Sequence, residues 1–291
     1  MNQEELRKIV ADMLANMRAE SPVKEHIAPT PTVEHEAVAD ITAVDLRKLY
    51  LVDNAHDAHA FASLKAKTPA RLGFGRVGTR YKTATMLRFR ADHAAAQDSV
   101  FSLVHENFAK ANGLIPVQTE CKSKDEYLTR PDLGRRFDEA NQRVIREVCG
   151  GHRVQIVIGD GLSSAAIEAN AVDCAAAIEQ GLQARSIDHC KKLFVKFCRV
   201  GAGDHIGDLT GCEVVCVLVG ERPGLVTNES MSAYITYRPH RGISESSRTV
   251  VSNIHAQGIA AVEAGAHIAS LIEEILRKKV SGVALTQGQT P

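Results

Sequence analysis

A six-residue segment at positions 219–224, Val-Gly-Glu-Arg-Pro-Gly, has the residue types and spacing that suit a ligand site. It follows an apolar, β-branched run at 213–219 that predicts a buried strand. Open α/β sheets bind their ligands beyond the carboxyl ends of the strands. Gly220 and Gly224 would let the backbone approach a flat ligand, and Glu221 would accept hydrogen bonds from amide N–H groups. The pattern predicts a ligand site without naming the ligand.

Three other segments are expected at the same edge of the predicted sheet. Val200 ends the neighbouring predicted strand, and residues 252–255 (Ser-Asn-Ile-His) come just before the last predicted helix. We therefore expect both to converge with Glu221. Residues 160–164 (Asp-Gly-Leu-Ser-Ser) also lie between a predicted strand and a helix. There, a ligand site and a plain helix cap made by Ser163 or Ser164 remain alternatives.

Residues 73–78 (Gly-Phe-Gly-Arg-Val-Gly) match the glycine spacing of a dinucleotide-binding fingerprint. That fingerprint also needs a strand directly before it and a helix directly after it, because the pyrophosphate meets the helix N-terminus. Only three residues separate this segment from Pro69, and no helical pattern begins directly after it. We interpret it as a glycine-hinged loop whose arginines suit an anionic partner or a subunit contact: Arg71, Arg76 and Arg80.

The composition excludes several classes of protein. The 291 residues carry 35 Lys and Arg against 35 Asp and Glu, so there is no basic excess to neutralise nucleic-acid phosphates. The longest apolar run has the length of a strand, far short of the roughly 20 residues that span a bilayer. Seven cysteines without a CxxC pair indicate reduced thiols in the cytoplasm. We expect binding to neither nucleic acid nor membrane.

The first 45 residues form two segments of different character. Six apolar residues within 1–20 recur at helical spacing and predict a short amphipathic helix: Leu6, Ile9, Val10, Met13, Leu14 and Met17. Residues 21–45 contain three prolines and no stable periodicity, which is typical of a flexible linker. A helix on such a linker suits targeting or docking to another protein. Packing back onto its own subunit is the alternative.

The rest of the chain is predicted to have two parts. Residues 46–150 are mainly helical, with helices at 57–67, at about 83–111 and after residues 129–132 (Thr-Arg-Pro-Asp). From residue 151 the periodicity changes, and strands alternate with helices, which indicates right-handed βαβ units. The strands are predicted at 153–158, 193–200, 213–219 and 232–237, and the helices at 165–184, 204–210 and about 259–280. The predicted fold class is α/β, with a small open parallel-sheet (Rossmann-like) C-terminal domain at 151–291 preceded by the mainly helical region.

Five segments together resemble the small (light) subunit family of ethanolamine ammonia-lyase. They occur in the family's order and at nearly its spacing, from about residue 65 to the end of the chain. The segments are 87–93, 127–136 (Tyr-Leu-Thr-Arg-Pro-Asp-Leu-Gly-Arg-Arg), 160–163, 219–225 and 252–255. The first 45 residues resemble the family only in layout, a short helix and then a linker.

The resemblance implies an adenosylcobalamin-dependent lyase that converts ethanolamine to acetaldehyde and ammonia by a radical mechanism. It implies that the substrate site belongs to a large subunit, which residues 46–150 contact, in a complex of six small and six large subunits. The small subunit closes over cobalamin at the interface through its 151–291 domain. The resemblance also implies residence in a bacterial microcompartment, whose shell proteins would receive residues 1–20.

The family's cobalamin contacts fall at positions matching Val200, Glu221 and Val250. At the third position a relative has Cys, so Val250 would share only a backbone or packing contact. No catalytic residue or metal ligand is implied on this chain, because cobalt keeps its own dimethylbenzimidazole. In agreement, residues 203–207 (Gly-Asp-His-Ile-Gly) lack the Asp-x-His-x-x-Gly spacing of cobalt-binding loops. His205 is therefore expected on a helix surface or facing a partner.

Two other classes remain alternatives to this interpretation. One is a nucleotide-binding oxidoreductase subunit built on the α/β half, although residues 159–161 (Gly-Asp-Gly) after its first strand are too short for the fingerprint. The other is a non-catalytic scaffold subunit without a ligand. Corrinoid absorption bands would favour a lyase, whereas nicotinamide-dependent fluorescence would favour the oxidoreductase. A scaffold subunit should lose no cofactor affinity when Glu221 is replaced by alanine.

Overall fold

The computed structural model describes residues 48–68 and 70–287. The predicted targeting helix at 1–20 and the linker at 21–45 therefore lie outside the described residues. Within the described ranges, no helix has both the length and the apolar character needed to cross a membrane.

Most elements before residue 150 are helices, joined by a two-stranded hairpin and one further strand. They are α1 (Ala58–Lys65), β1 (Arg76–Val77), β2 (Arg80–Tyr81), α2 (Thr83–Phe101), α3 (Phe108–Ala111), β3 (Ile115–Gln118), α4 (Lys124–Thr129) and α5 (Glu139–Cys149).

The structure corrects two helices predicted in this region. The helix predicted at 83–111 is interrupted after Phe101, because Ser102 is extended and the next peptides bond elsewhere. Val104 N donates to Asp160 Oδ2 at 3.2 Å, and His105 N donates to Glu168 Oε1 at 2.8 Å. The helix predicted after residues 129–132 begins only at Glu139, where Asp138 caps it by accepting from the Asn141 peptide N–H.

After residue 150 the predicted alternation of strands and helices is present, and an additional strand precedes the last long helix. The elements are β4 (Val154–Asp160), α6 (Ser164–Ala184), β5 (Leu193–Lys196), α7 (Ala202–Thr210), β6 (Val214–Gly220), β7 (Met231–Tyr237), β8 (Arg248–Ile254), α8 (Ala261–Lys278) and α9 (Val283–Thr286).

Strand β3 and the five strands after residue 150 form one open sheet in the order β3-β5-β4-β6-β7-β8. The first four in this order are parallel, which confirms an α/β fold with a mostly parallel sheet. Strand β7 is antiparallel to both of its neighbours, so the sheet is mixed rather than wholly parallel. No helix crosses over between β6 and β7 or between β7 and β8. A connection without a crossover returns the chain in the opposite direction.

Helices cover both faces of the sheet, as the burial of β4 and β6 on both sides requires. Helices α6 and α8 pack on one face, and α5 and α7 pack on the other. Gly265 brings α8 very close to α6, since a Cβ at this position would lie 2.5 Å from the Cys174 carbonyl oxygen. All seven cysteines are buried free thiols.

Candidate ligand site at the carboxyl ends of the strands

Glu221 directly follows strand β6, at the carboxyl edge of the sheet, as the sequence predicted. Its neighbour Gly220 lies against the turn before α6: a Cβ on Gly220 would stand 2.2 Å from the Ser163 carbonyl oxygen. Only glycine leaves room for that approach. Gly220 therefore fixes where β6 ends and where the Glu221 side chain begins.

Three donors hold the Glu221 carboxylate. Oε1 accepts from the Ser232 hydroxyl and, at 3.3 Å, from the Asn253 peptide N–H. Oε2 accepts from the Ser230 hydroxyl at 2.9 Å. The donors come from the β6–β7 loop, from β7 and from β8, so one carboxylate joins the ends of three strands.

This hydrogen bonding keeps Glu221 ionised. Burial raises the pKa of the carboxyl, but the hydrogen bonds from Ser232, from the Asn253 peptide and from Ser230 lower it by more. The charge on His255 acts in the same direction. The net pKa of Glu221 lies below its ordinary value, so the side chain is an acceptor at neutral pH.

The predicted segment 252–255 reaches Glu221 through an unusual turn. Asn253 has a positive φ of 63°, a left-handed conformation that asparagine tolerates better than most residues. Its carbonyl oxygen accepts from Ile259 N at 2.9 Å, and its side-chain Oδ1 lies 2.8 Å from His255 Nε2. The turn aims the Asn253 peptide N–H at the carboxylate.

Val250 lies on the edge strand β8, opposite Tyr234 of β7, which in turn lies opposite Val217 of β6. Directly paired residues share a face of the sheet, so these three side chains are on the face that α5 and α7 cover. The covering helices do not extend over Val250, which is 47% exposed.

Val200 is not in a strand, because β5 ends at Lys196 and the predicted end at residue 200 was four residues too late. It lies in the turn before α7, half-buried, and packs against the same hydrophobic cluster as Tyr234. Ser232, the partner of Glu221, is opposite Val219, a member of that cluster. The structure thus puts Val200, Glu221 and Val250 on one side of the sheet.

The sequence did not single out the serine partners of Glu221. Ser230 directly precedes β7 and Ser232 is its second residue, nine and eleven residues beyond the carboxylate that they hold. A Ser-x-Ser spacing at the start of a strand is the available signal. It becomes meaningful only once the antiparallel register of β6 and β7 is known.

The other sequence motifs have structural roles in the described chain. Ser163 caps α6 by accepting from Ala166 N at 3.1 Å, which favours the cap interpretation of residues 160–164. Asp160 is buried, which raises its pKa, and it accepts from the Ser164 hydroxyl at 2.8 Å. Residues 73–78 lie around the β1–β2 hairpin, not between a parallel strand and a helix.

One prediction about a basic residue is wrong. His205 is not on a surface: it is buried, its Nδ1 accepts from Phe137 N at 3.2 Å, and burial lowers its pKa. Arg71 forms an ion pair with the buried carboxylate of Asp92 at 2.8 Å. That the arginines of this loop contact an anionic partner or another subunit stays a prediction.

A cavity of about 550 Å³ lies elsewhere along the same edge, beyond the carboxyl ends of β3, β4 and β5. Its polar lining includes Gln118, Asp160 and Lys196. None of the three predicted contact residues lines it. Within 48–68 and 70–287, no group of three or more His, Cys, Asp or Glu side chains is placed to hold a metal ion.

The fold and the site together define an α/β protein with an open, mostly parallel sheet and an acceptor carboxylate at its carboxyl edge. The family model for the ethanolamine ammonia-lyase light chain (EutC) matches residues 58–286. The chain therefore belongs to the ethanolamine ammonia-lyase light chain family. This membership does not support the nucleotide-binding oxidoreductase alternative.

Several curated proteins are similar to the chain over nearly its whole length. The ethanolamine ammonia-lyase small subunit of Clostridioides difficile (strain 630) is 57% identical over 292 residues, which cover 98% of this chain and 100% of that protein. The small subunit of Clostridium perfringens (strain ATCC 13124) is 55% identical over 294 residues, with the same coverage. That of Listeria monocytogenes serovar 1/2a (strain EGD-e) is 52% identical over 293 residues, again with that coverage.

Proposed function

We propose that this chain is the small subunit of an adenosylcobalamin-dependent ethanolamine ammonia-lyase, which converts ethanolamine to acetaldehyde and ammonia. Family membership and the names of the full-length relatives support this proposal. The name of those relatives also implies a large subunit as the partner. In the proposed complex, with six copies of each subunit, the large subunit carries the substrate site.

The geometry of Glu221 is the observation that carries the cofactor assignment. The edge of a corrin carries amide side chains, which donate N–H hydrogen bonds. Glu221 is an ionised acceptor at the open edge of the sheet, and the half-buried Val200 and the exposed Val250 supply apolar surface on the same side. These residues fit the cofactor and would hold it. When bound, adenosylcobalamin supplies the radical chemistry of the reaction.

The roles of this chain are to bind the cofactor, to orient it and to exclude water. Glu221 would orient the corrin edge by accepting an amide N–H, while Val200 and Val250 would pack against the apolar parts of the ring. Water is excluded because these aliphatic groups cover surface that would otherwise be hydrated. None of these residues transfers a proton or touches the substrate.

Helix α2 and the β1–β2 hairpin form the surface that we assign to the large subunit. The polar side chains of Thr85, Arg88 and Asp92 are buried, whereas Met86 and Leu87 are exposed. The two exposed side chains line a groove of about 540 Å³ together with Thr79, Arg80, Tyr81, Thr83 and Arg90. Apolar side chains exposed side by side are typical of a protein interface.

Substitution of Leu87 tests this interface. Leu87→Arg puts a charge on a half-exposed position, so the small subunit should fold but lose affinity for the large subunit. Val283→Arg, at a similarly exposed position on α9, is the control and should assemble normally. If both variants assemble equally well in size-exclusion chromatography, α2 is not part of the interface with the large subunit.

Substitution of Glu221 tests the cofactor site. Glu221→Ala removes a charge-assisted hydrogen bond that contributes roughly 1.5–3 kcal/mol, so the dissociation constant of cobalamin in the complex should rise by about one to two orders of magnitude. Glu229→Ala removes an exposed carboxylate from the same loop and should leave the titration unchanged. An unchanged titration with Glu221→Ala would favour a scaffold subunit without a ligand.

We also propose that the complex resides in a bacterial microcompartment and that residues 1–20 bind its shell proteins. The sequence pattern of residues 1–45 supports this proposal: an apolar stripe at helical spacing followed by a proline-containing linker. A helix this short is marginal alone in water, so a groove on the shell would stabilise it.

A further inference from the structure

The two carboxylate oxygens of Glu221 accept different numbers of hydrogen bonds. Each carboxylate oxygen can accept about two hydrogen bonds. Oε1 accepts two, from the Ser232 hydroxyl and from the Asn253 peptide. Oε2 accepts one, from the Ser230 hydroxyl. Among the described residues, one acceptor position on Oε2 is left without a donor.

Within residues 48–68 and 70–287, no lysine or arginine forms an ion pair with this carboxylate. The ion pairs formed by the described Lys and Arg side chains do not include Glu221. The titratable groups around it are Tyr234 on β7 and His255 beyond β8. The ring nitrogens of His255 are both engaged away from Glu221: Nδ1 lies 3.3 Å from Gln257 N, and Nε2 lies 2.8 Å from Asn253 Oδ1. The three groups that donate hydrogen bonds to Glu221 are all uncharged.

We propose that Glu221 Oε2 makes the site selective for an amide over a carboxylate on the ligand. Ser232 and the Asn253 peptide act as positioning groups, because they hold Oε1 and thereby aim Oε2. A ligand amide would donate its N–H to the open position on Oε2. A ligand carboxylate there would face a like charge and would offer no proton. This inference rests on the proposed function and deepens it, since it names the chemical group of cobalamin that the site selects.

The substitution Glu221→Gln distinguishes ligand selectivity of the Glu221 side chain from a purely structural role of that side chain. In Glu221→Gln the amide oxygen can take the place of Oε1 and still accept from Ser232 and from the Asn253 peptide. The amide nitrogen then takes the place of Oε2 and donates to the Ser230 hydroxyl, which can also accept. The bridge between the three strands is kept, while the open position changes from an acceptor to a donor.

The experiment titrates the complex of both subunits with two kinds of probe, followed by absorbance. One probe is cyanocobalamin. The other is the set of separated cyanocobalamin monocarboxylates, in each of which one side-chain amide has been hydrolysed. Wild-type complex should bind one of these monocarboxylates about 10- to 100-fold more weakly than cyanocobalamin. Glu221→Gln should bind cyanocobalamin more weakly by a similar factor and regain affinity for that same monocarboxylate.

Glu229→Gln is the matched control and should keep the preference of the wild type. Equal binding of all monocarboxylates by the wild-type complex would overturn the inference. So would wild-type affinity of Glu221→Gln for cyanocobalamin. If Glu221→Ala weakens binding and Glu221→Gln does not, the selectivity fails while the proposed function stands. If neither weakens binding, the cofactor contact at Glu221 fails as well.

Ser232→Ala provides a second variant should Glu221→Gln not fold. Loss of this donor raises the pKa of Glu221, and a protonated carboxyl no longer presents the open acceptor. The affinity for cyanocobalamin, measured against pH, should therefore begin to fall at a higher pH than in the wild type. A merely structural serine would lower the affinity equally at every pH, and that result would count against the positioning role.

Discussion

The guanidinium of Arg248 on β8 binds the carboxylate of Asp204 on α7 through two parallel hydrogen bonds. Nη1 donates to Oδ1 at 2.8 Å and Nη2 donates to Oδ2 at 2.9 Å. The side chains are only 3% and 9% exposed. The hydrogen bonds that Arg248 donates to Asp204 raise its pKa further, despite its burial. This pair joins the strand that carries Val250 to the helix that begins just after Val200.

Breaking the pair should therefore destabilise the fold strongly. Arg248→Met leaves the Asp204 charge buried without its partner, so the free energy of unfolding should fall by about 3–5 kcal/mol, measured by urea denaturation. Arg241→Met is the control, because Arg241 pairs with Asp208 of the same helix but is 61% exposed. That exposed pair should contribute about 1 kcal/mol or less. If both variants lose a similar free energy of unfolding, burial does not make the Arg248–Asp204 pair more stabilising than the exposed pair.

Two glycines of the predicted ligand segment should behave differently. In Gly220→Ala the new methyl group would overlap the Ser163 carbonyl oxygen, and forcing the backbones apart should cost about 1–3 kcal/mol of stability. Gly224→Ala is the control, since the nearest atom to its Cβ is the Thr227 carbonyl oxygen at 3.8 Å. Urea denaturation of both variants measures the difference. A Gly220→Ala variant as stable as Gly224→Ala would contradict the close approach of β6 to α6.

The strands of the sheet's interior were predictable from sequence, and its edges were not. Strands β4 and β6 are buried on both faces, so their apolar runs are continuous. Strand β8 has exposed polar residues between its buried ones, and β3 is four residues long and contains Pro116. Neither has the apolar run that predicts a strand.

The site was predictable only in part, for a similar reason. Glu221 could be placed because a residue that follows a buried strand lies at the edge of the sheet. Its donors depend on the pairing of β6, β7 and β8, and the one on β8, the Asn253 peptide, lies 32 residues further along the chain. His205 was misplaced because the polar residues of the short helix α7, among them Asp204 and Asp208, do not show which of its faces is buried.

The isolated chain should have no lyase activity. Its site residues bind and orient a cofactor, and we assign the substrate site to the large subunit. Acetaldehyde formation from ethanolamine and adenosylcobalamin should appear only when the large subunit is added, in an assay with each subunit alone as the control. Turnover by this chain alone would overturn the proposed division of labour.

Deletion of residues 1–20 should abolish co-localisation with shell proteins without affecting assembly or lyase activity. A fluorescent protein fused behind residues 1–20 should be recruited to the shell. The double substitution Leu6→Glu, Ile9→Glu puts charges into the apolar stripe and should abolish recruitment in the same way. If it destabilises the purified complex instead, the helix belongs to the folded subunit and the targeting hypothesis fails.

The edge strand β3 offers few free peptide N–H groups on its outer side. Ile115 N donates to Lys192 O and Thr119 N donates to Lys196 O, both towards β5, so alternation turns residues 116 and 118 outwards. Residue 116 is proline and has no N–H, and the N–H of Gln118 is taken by Asn141 Oδ1 at 3.0 Å. Another strand arriving at this edge would find neither donor. The sheet is thus protected from growing by edge-to-edge aggregation on this side.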